Sequence, residues 1–191
     1  RLAGDMTKHA LVFSSQIQGL VAADRDANEV GDALAALGFD VVRLVGPAGS
    51  ERAATRAAIL AAYRALIAQP GLTAAVVYYA GHGFYTRLPS EPTRRYQCIA
   101  PVDFDTSTDA DWHGITAEEL SILQHQLTAA MPEGQRNVTV ILDCCHAAMM
   151  SRDGAARAAI ARALPHPERA GFANHLAALR KEYGADFDQR A

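Results

Sequence analysis

Cysteine is scarce in these 191 residues: Cys98, Cys144 and Cys145 are the only three. A small, odd set does not make a disulfide framework, and the adjacent pair could bridge only under strain. A reducing compartment, the cytoplasm, is therefore expected. Lysine is scarcer still, with only Lys8 and Lys181. Arginine does not turn the balance: 18 basic residues face 21 acidic ones, giving a net charge of -3 and a pI near 6.2. Without surplus positive charge to neutralise phosphates, no nucleic-acid partner is expected. No apolar run approaches the ~20 residues that span a bilayer, so no membrane segment is expected either. The opening Arg-Leu-Ala-Gly-Asp-Met lacks the pattern of a signal peptide, and the missing initiator Met fits a processed piece. Several chemical signatures are missing too. Gly46-Pro47-Ala48-Gly49-Ser50 has no Gly-Lys-Ser/Thr to cradle a nucleotide, no Gly-x-Ser-x-Gly elbow supports a serine hydrolase, and no Cys-x-x-Cys supports zinc.

What is present is globular: half of the chain is apolar and a fifth charged, in a length suited to one domain. Short apolar runs alternate with helical spacing. His9 to Ser15, Asp40 to Val45, Ala74 to Tyr79 and Val138 to Leu142 read as buried strands. Between them, Asp24 to Leu37 carries Val30, Ala33, Leu34 and Leu37 at helical spacing and stops at Gly38. A second helix is expected from an N-cap at Ser50, with Ile59, Leu60, Tyr63, Leu66 and Ile67 on one face, ending at Pro70-Gly71. Thr116 with Glu119 reads as a capping box opening a third helix to about Ala130. Residues 84 to 114 read as a long polar stretch broken only by Gln97 to Val102. Strands joined by such helices imply crossovers, a mainly parallel sheet and helices on both faces, an α/β fold. After Cys145 the pattern changes. The division is a core unit over 1-150 and a basic segment over 151-191 with helices around Ala155–Leu164 and Glu168–Tyr183.

In parallel sheets chemistry gathers at the carboxyl ends of strands. The third strand runs into Ala80-Gly81-His82-Gly83 and the fourth into Asp143-Cys144-Cys145-His146. A thiol attacks as thiolate and needs a base nearby, and a histidine can take that proton and return it to a leaving amine. The competing reading is a packed core thiol and a histidine that merely ends a strand.

Tyr79-Ala80-Gly81-His82-Gly83 resembles the Tyr-Ser-Gly-His-Gly block of caspase-like cysteine peptidases. Asp143-Cys144-Cys145-His146-Ala147 resembles the Asp-Cys-Cys-His-Ser block of their metacaspase and bacterial branch. His82 precedes Cys145 at a separation close to the ~50 residues of the caspase signature. Leu20 to Ala27, followed by Leu37-Gly38-Phe39, is similar to that family's early Leu-x-Gly-Cys-x-Asn-Asp-Ala and Gly-Phe blocks, so the likeness runs over about residues 9 to 150. It implies a three-layer α/β/α caspase-haemoglobinase-like fold, lacking the last small-subunit strands. It also implies Cys145 as nucleophile, His82 as general acid/base, and the backbone N–H groups of Gly83 and Cys145 as the oxyanion site. Asp26 and Asp143 match positions that line the primary specificity pocket, which implies cleavage after Arg or Lys rather than Asp.

The departures are Ala80 and Ala147 for Ser, Ala22-Ala23 for Gly-Cys, and Arg25 for Asn beside Asp26. None removes a bond-breaking group, but Arg25 could neutralise part of the pocket. No cofactor is expected, although calcium is conceivable through the loop acids Asp103, Asp105, Asp109 and Asp111, whose spacing is not that of an EF-hand. Arg152, Arg157, Arg162, Arg169, Arg180, Lys181 and Arg190 punctuate the stretch where such enzymes are processed, which suggests a large-subunit piece that pairs with a separate small fragment. Expected partners are thus protein or peptide substrates and that fragment or further domains. The alternative function is a catalytically silent caspase-like interaction domain.

Overall fold

A computed structural model describes residues 7–144, 170–185 and 187 of the chain. The expected strands and crossovers form a parallel sheet. β1 (Thr7–Ser14) is buried from Ala10 onward, as a continuous apolar run predicts for a strand covered on both faces. α1 (Ala23–Ala36) follows and closes at Leu37, where Gly38 takes a φ of +83°. That left-handed turn lets Gly38 and Phe39 donate N–H groups to Ala35 and Leu34 of the last helical turn. β2 (Asp40–Leu44), α2 (Arg56–Ile67) and β3 (Leu72–Ala80) come next. Beyond them lie β4 (Gly83–Leu88), β5 (Glu91–Ile99), β6 (Ile115–Thr116), α3 (Ala117–Ala130), β7 (Asn137–Asp143) and α4 (Ala170–Tyr183).

The main sheet has the order β2-β1-β3-β7, with every neighbouring pair parallel. On one face α2 and α3 cover it through Ile59, Tyr63, Leu66, Leu123 and Leu127, packed on Leu11, Phe13, Val77 and Tyr79. On the other face α1 lays Ala23 and Ala27 over Val12, Tyr78 and Ala80. These are the three layers of an α/β/α fold. A smaller antiparallel sheet, β4-β5-β6, stands beyond the ends of the main strands. It shares a second aromatic core with Phe104, Trp112 and the α4 residues Phe172, Leu176 and Leu179.

Two local expectations need correction. The second helix is capped at Thr55, whose side chain accepts the Ala58 N–H, and not at Ser50. Ser50 instead donates its hydroxyl and its backbone N–H to the Pro47 carbonyl in a tight turn, so its capping chemistry is spent one loop early. The polar stretch after residue 84 is also not loop throughout, because β4 and β5 form a hairpin within it. Thr116 and Glu119 do form the expected capping box. The helix expected over Glu168–Tyr183 is α4, whereas the one around Ala155–Leu164 lies outside the described residues. Among the described residues no helix is long and apolar enough to cross a membrane.

Candidate active site

β3 and β7 end side by side. Their register pairs Ala80 with Asp143, and the Gly81 N–H donates to the Asp143 carbonyl at 3.2 Å. Neighbouring strands lie about 4.8 Å apart, so the segments leaving Ala80 and Asp143 start as near neighbours at one edge of the fold. His82 stands two positions beyond Ala80, and Cys145 two beyond Asp143. Cys145 itself, with His146 and Ala147, lies outside the described residues.

His82 is 4% exposed, and its Nε2 lies 3.1 Å from the Ile17 carbonyl oxygen in the loop after β1. A carbonyl oxygen can only accept, so in this contact Nε2 carries the proton and the lone pair of the neutral ring sits on Nδ1. The backbone of His82 is fixed from below. Its carbonyl accepts the Ala100 N–H at 3.0 Å, and also the buried Tyr79 hydroxyl at 3.0 Å. That hydroxyl lies under Gly81 as well, where any Cβ would overlap it, so the glycine before the histidine is dictated by a close approach. Gly83, the other flanking glycine, opens β4 opposite Ile99.

The acids gather on the α1 face of the same strand ends. Tyr78 projects there, opposite in direction to Tyr79, and its hydroxyl donates to Asp143 Oδ2 at 3.2 Å. Burial first, then the charges of Asp143 and Asp26, push the Tyr78 phenol well above its ordinary range, so both carboxylates bear on one hydroxyl. Asp26 sits in the first turn of α1, 3.3 Å from the Arg25 guanidinium. Its side chain is 36% exposed and that of Arg25 70%, which makes this a solvated pair. A third acid lies nearby in the chain: Asp24 accepts the Ser14 hydroxyl at 2.7 Å at the end of β1. Asp143 thus meets the Tyr78 hydroxyl directly, and Asp26 acts on the same phenol through its charge. Sequence reasoning missed Tyr78 and the Ile17 carbonyl. Two adjacent tyrosines in a strand face opposite layers with no local mark of which meets the acids, and a backbone acceptor leaves no residue-type signal.

The loop acids do not converge. Asp103 accepts the Arg56 N–H at the start of α2 and lies 3.4 Å from His113, Asp111 lies 3.0 Å from the same imidazole, and Asp105 accepts the Gln18 side chain. Burial opposes the charged form of His113, but the Asp103 carbonyl and the Asp111 and Asp103 carboxylates more than offset it and raise its pKa. Each of these three acids thus has a side-chain or backbone partner, and among the described residues no group of three His, Cys, Asp or Glu side chains is arranged to hold a metal ion. Cys98 is a buried strand thiol on β5, where burial raises its pKa, and Cys144 packs against the main core.

A parallel sheet between helical layers, with a histidine beyond one strand end and an acid at another, defines a class of α/β/α protein. The family model of the caspase domain, peptidase family C14, matches residues 7–184, and the chain belongs to that family. Among solved structures it is similar to a crystal structure of a protein from Geobacter sulfurreducens, at 22% identity and a TM-score of 0.53. That match covers 73% of this chain and 50% of the other, so this chain spans half the length of that relative and the likeness concerns fold alone. Among curated proteins there is no match.

Proposed function

We propose that this caspase-family chain is a cysteine endopeptidase that cleaves after arginine or lysine. The observation that carries the reading is the buried His82 imidazole, its Nε2 proton held by Ile17, at a strand end in register with the one leading to Cys145. In the proposed reaction, His82 Nδ1 takes the Cys145 thiol proton, and the thiolate attacks the scissile carbonyl carbon. The N–H groups of Gly83 and Cys145 stabilise the oxyanion. Support for the first comes from the ladder: the Ala100–His82 bond makes that pair the hydrogen-bonded one, so by alternation the Gly83 N–H points away from β5. His82 then gives its proton to the leaving amine as the C–N bond breaks. A water, deprotonated by His82, hydrolyses the thioester and regenerates the thiol.

Specificity follows from Asp26 and Asp143, the second of which holds the Tyr78 hydroxyl. Two carboxylates attract a guanidinium or ammonium and repel an acidic side chain. Activation by processing is part of the proposal. Arg180 is an unsuitable cleavage site, because it is helical and bonded to Glu91 and Tyr96, which leaves the basic residues outside α4. Release of product from peptides ending in Arg, Lys or Asp, with Cys145→Ala as control, tests the reading. Turnover after Arg and Lys that is lost in the variant is expected. No turnover by the wild type in any assembly, processed or unprocessed and with or without added calcium, would leave a silent interaction domain.

A further inference from the structure

Gln18 is the only residue other than glycine with a positive φ among the described residues, at +49°. It is followed by Gly19 at +85°, and the Leu20 N–H returns to the Ile17 carbonyl at 3.2 Å. Positive φ at both central residues is the type I′ pattern, which favours Gly, Asn or Asp at its first central position because a longer L side chain crowds there. A glutamine is a poor choice for this turn on local grounds. Its side chain supplies the reason: Nε2 donates to Asp105 Oδ1 at 2.8 Å, across 87 residues of chain.

Asp105 is a firm mount. It lies in a 3-10 turn (Phe104–Thr106) whose Phe104 is buried against Phe84 and Trp112, and the preceding Val102 N–H donates to the Ala54 carbonyl. The Ile17 carbonyl therefore sits at the corner of a strained turn, tied sideways to the second core and shared between Leu20 and His82. Strain kept beside a functional group is a pointer to a constraint on that group.

We propose that the Gln18–Asp105 hydrogen bond is a tether that aims the Ile17 carbonyl at His82, which makes both side chains positioning residues for the imidazole. With the tether cut, the turn rocks towards its internal Leu20 bond and His82 loses the acceptor that selects its tautomer. The inference rests on the peptidase reading for its kinetic consequence, but its structural content is independent of turnover.

Gln18→Asn separates the tether from mere folding, because Asn tolerates the left-handed backbone better and is one methylene too short to reach Asp105. Asp105→Ala cuts the tether from the other side, and Asp105→Asn keeps the acceptor oxygen. The primary readout is the imidazole 15N spectrum of His82 on the alkaline side of its titration, with thermal unfolding followed alongside. The wild type and Asp105→Asn should show the Nε2–H tautomer alone. Gln18→Asn and Asp105→Ala should show an added Nδ1–H population, with Gln18→Asn unfolding no earlier than the wild type. On Arg-ending peptides the two tether-less variants should lose kcat by about tenfold and shift the pH profile, with KM held within about twofold. An unchanged His82 tautomer in both tether-less variants overturns the tether, whatever the kinetics. A shifted tautomer in a protein whose wild type turns over no peptide supports the tether while the peptidase reading falls.

Discussion

His82 and Arg25 show how differently one residue's role can be fixed. His82 is held by contacts that do not depend on its own side-chain type alone: Tyr79 braces its carbonyl, and Ile17 receives its Nε2 proton. Arg25 is held by very little, a solvated contact to Asp26 at 3.3 Å and a looser one to Glu29 at 3.8 Å. Exposed pairs of this kind are worth at most about 1 kcal/mol. Removing the guanidinium leaves Asp26 to a basic substrate, so Arg25→Ala should lower KM for Arg-ending peptides by up to about fivefold with kcat unchanged. Steady-state kinetics on the two proteins checks it, and a raised KM would place Arg25 on the substrate's side of the pocket. At this scale flanking glycines and a strand end single out His82 in the sequence, whereas Asp26 and Asp143 are suggested only by the resemblance to the caspase-like blocks. The sequence did not disclose Tyr78, because two adjacent tyrosines in a strand face opposite layers and nothing local says which layer holds the acids.

Among the elements, α3 begins on a side chain with several partners. Glu119 completes the capping box with Thr116, pairs with Arg56 of α2, and takes a hydrogen bond from His175 of α4 at 3.2 Å. Burial alone would raise its pKa, but the His175 N–H and the Arg56 guanidinium more than offset this and hold it below the usual carboxylate range. Its neighbour Glu118 is equally buried but less well served. Burial raises its carboxyl, Arg94 is 3.8 Å away, and Oε2 has no hydrogen-bond partner. A raised folded pKa means that the neutral acid suits the fold: no penalty exists below the unfolded value, and one grows as pH rises through the folded value. Glu118→Gln should therefore raise the unfolding temperature at neutral pH, and the gain should fade as pH falls to about 4.3, the ordinary Glu value. A gain that persists in acid, or a loss at neutral pH, would contradict this. The β4–β5 hairpin was the element least legible beforehand. Arg87, Pro89, Pro92, Arg94 and Arg95 read as loop, and its strand character comes from Tyr85 lying between Arg87 and Arg95 and from Phe84 and Tyr96 buried in a core that α4 completes. Those partners are distant in sequence. The start of α2 was misplaced for a similar reason, since Ser50 and Thr55 both have capping side chains and only the tertiary position of Asp103, which takes the Arg56 N–H, favours the second.

The whole molecule places its chemistry next to an edge. β7 ends the main sheet as described, and α1 covers β1, β2 and β3 but leaves Ile141 of β7 42% exposed. An open strand edge with an uncovered apolar side chain is a place for further strands. Material active on Arg-ending peptides should therefore have this edge paired by strands beyond the described ones, from a bound fragment or from further chain. Native mass spectrometry of the active species checks this, and a fully active lone monomer of this chain would contradict it. The parallel character of the sheet was legible from the crossovers; the strand order β2-β1-β3-β7 is the part that no local pattern could supply.

Every step of the proposed chemistry passes through one thioester. Acid-quenching the protein during turnover of an arginine nitrophenyl ester, followed by peptide mapping of the mass increase, tests it most directly. The account predicts an acyl group on Cys145 that disappears in His82→Ala. An adduct on Cys144, or hydrolysis that proceeds at full rate in Cys145→Ala, would contradict it.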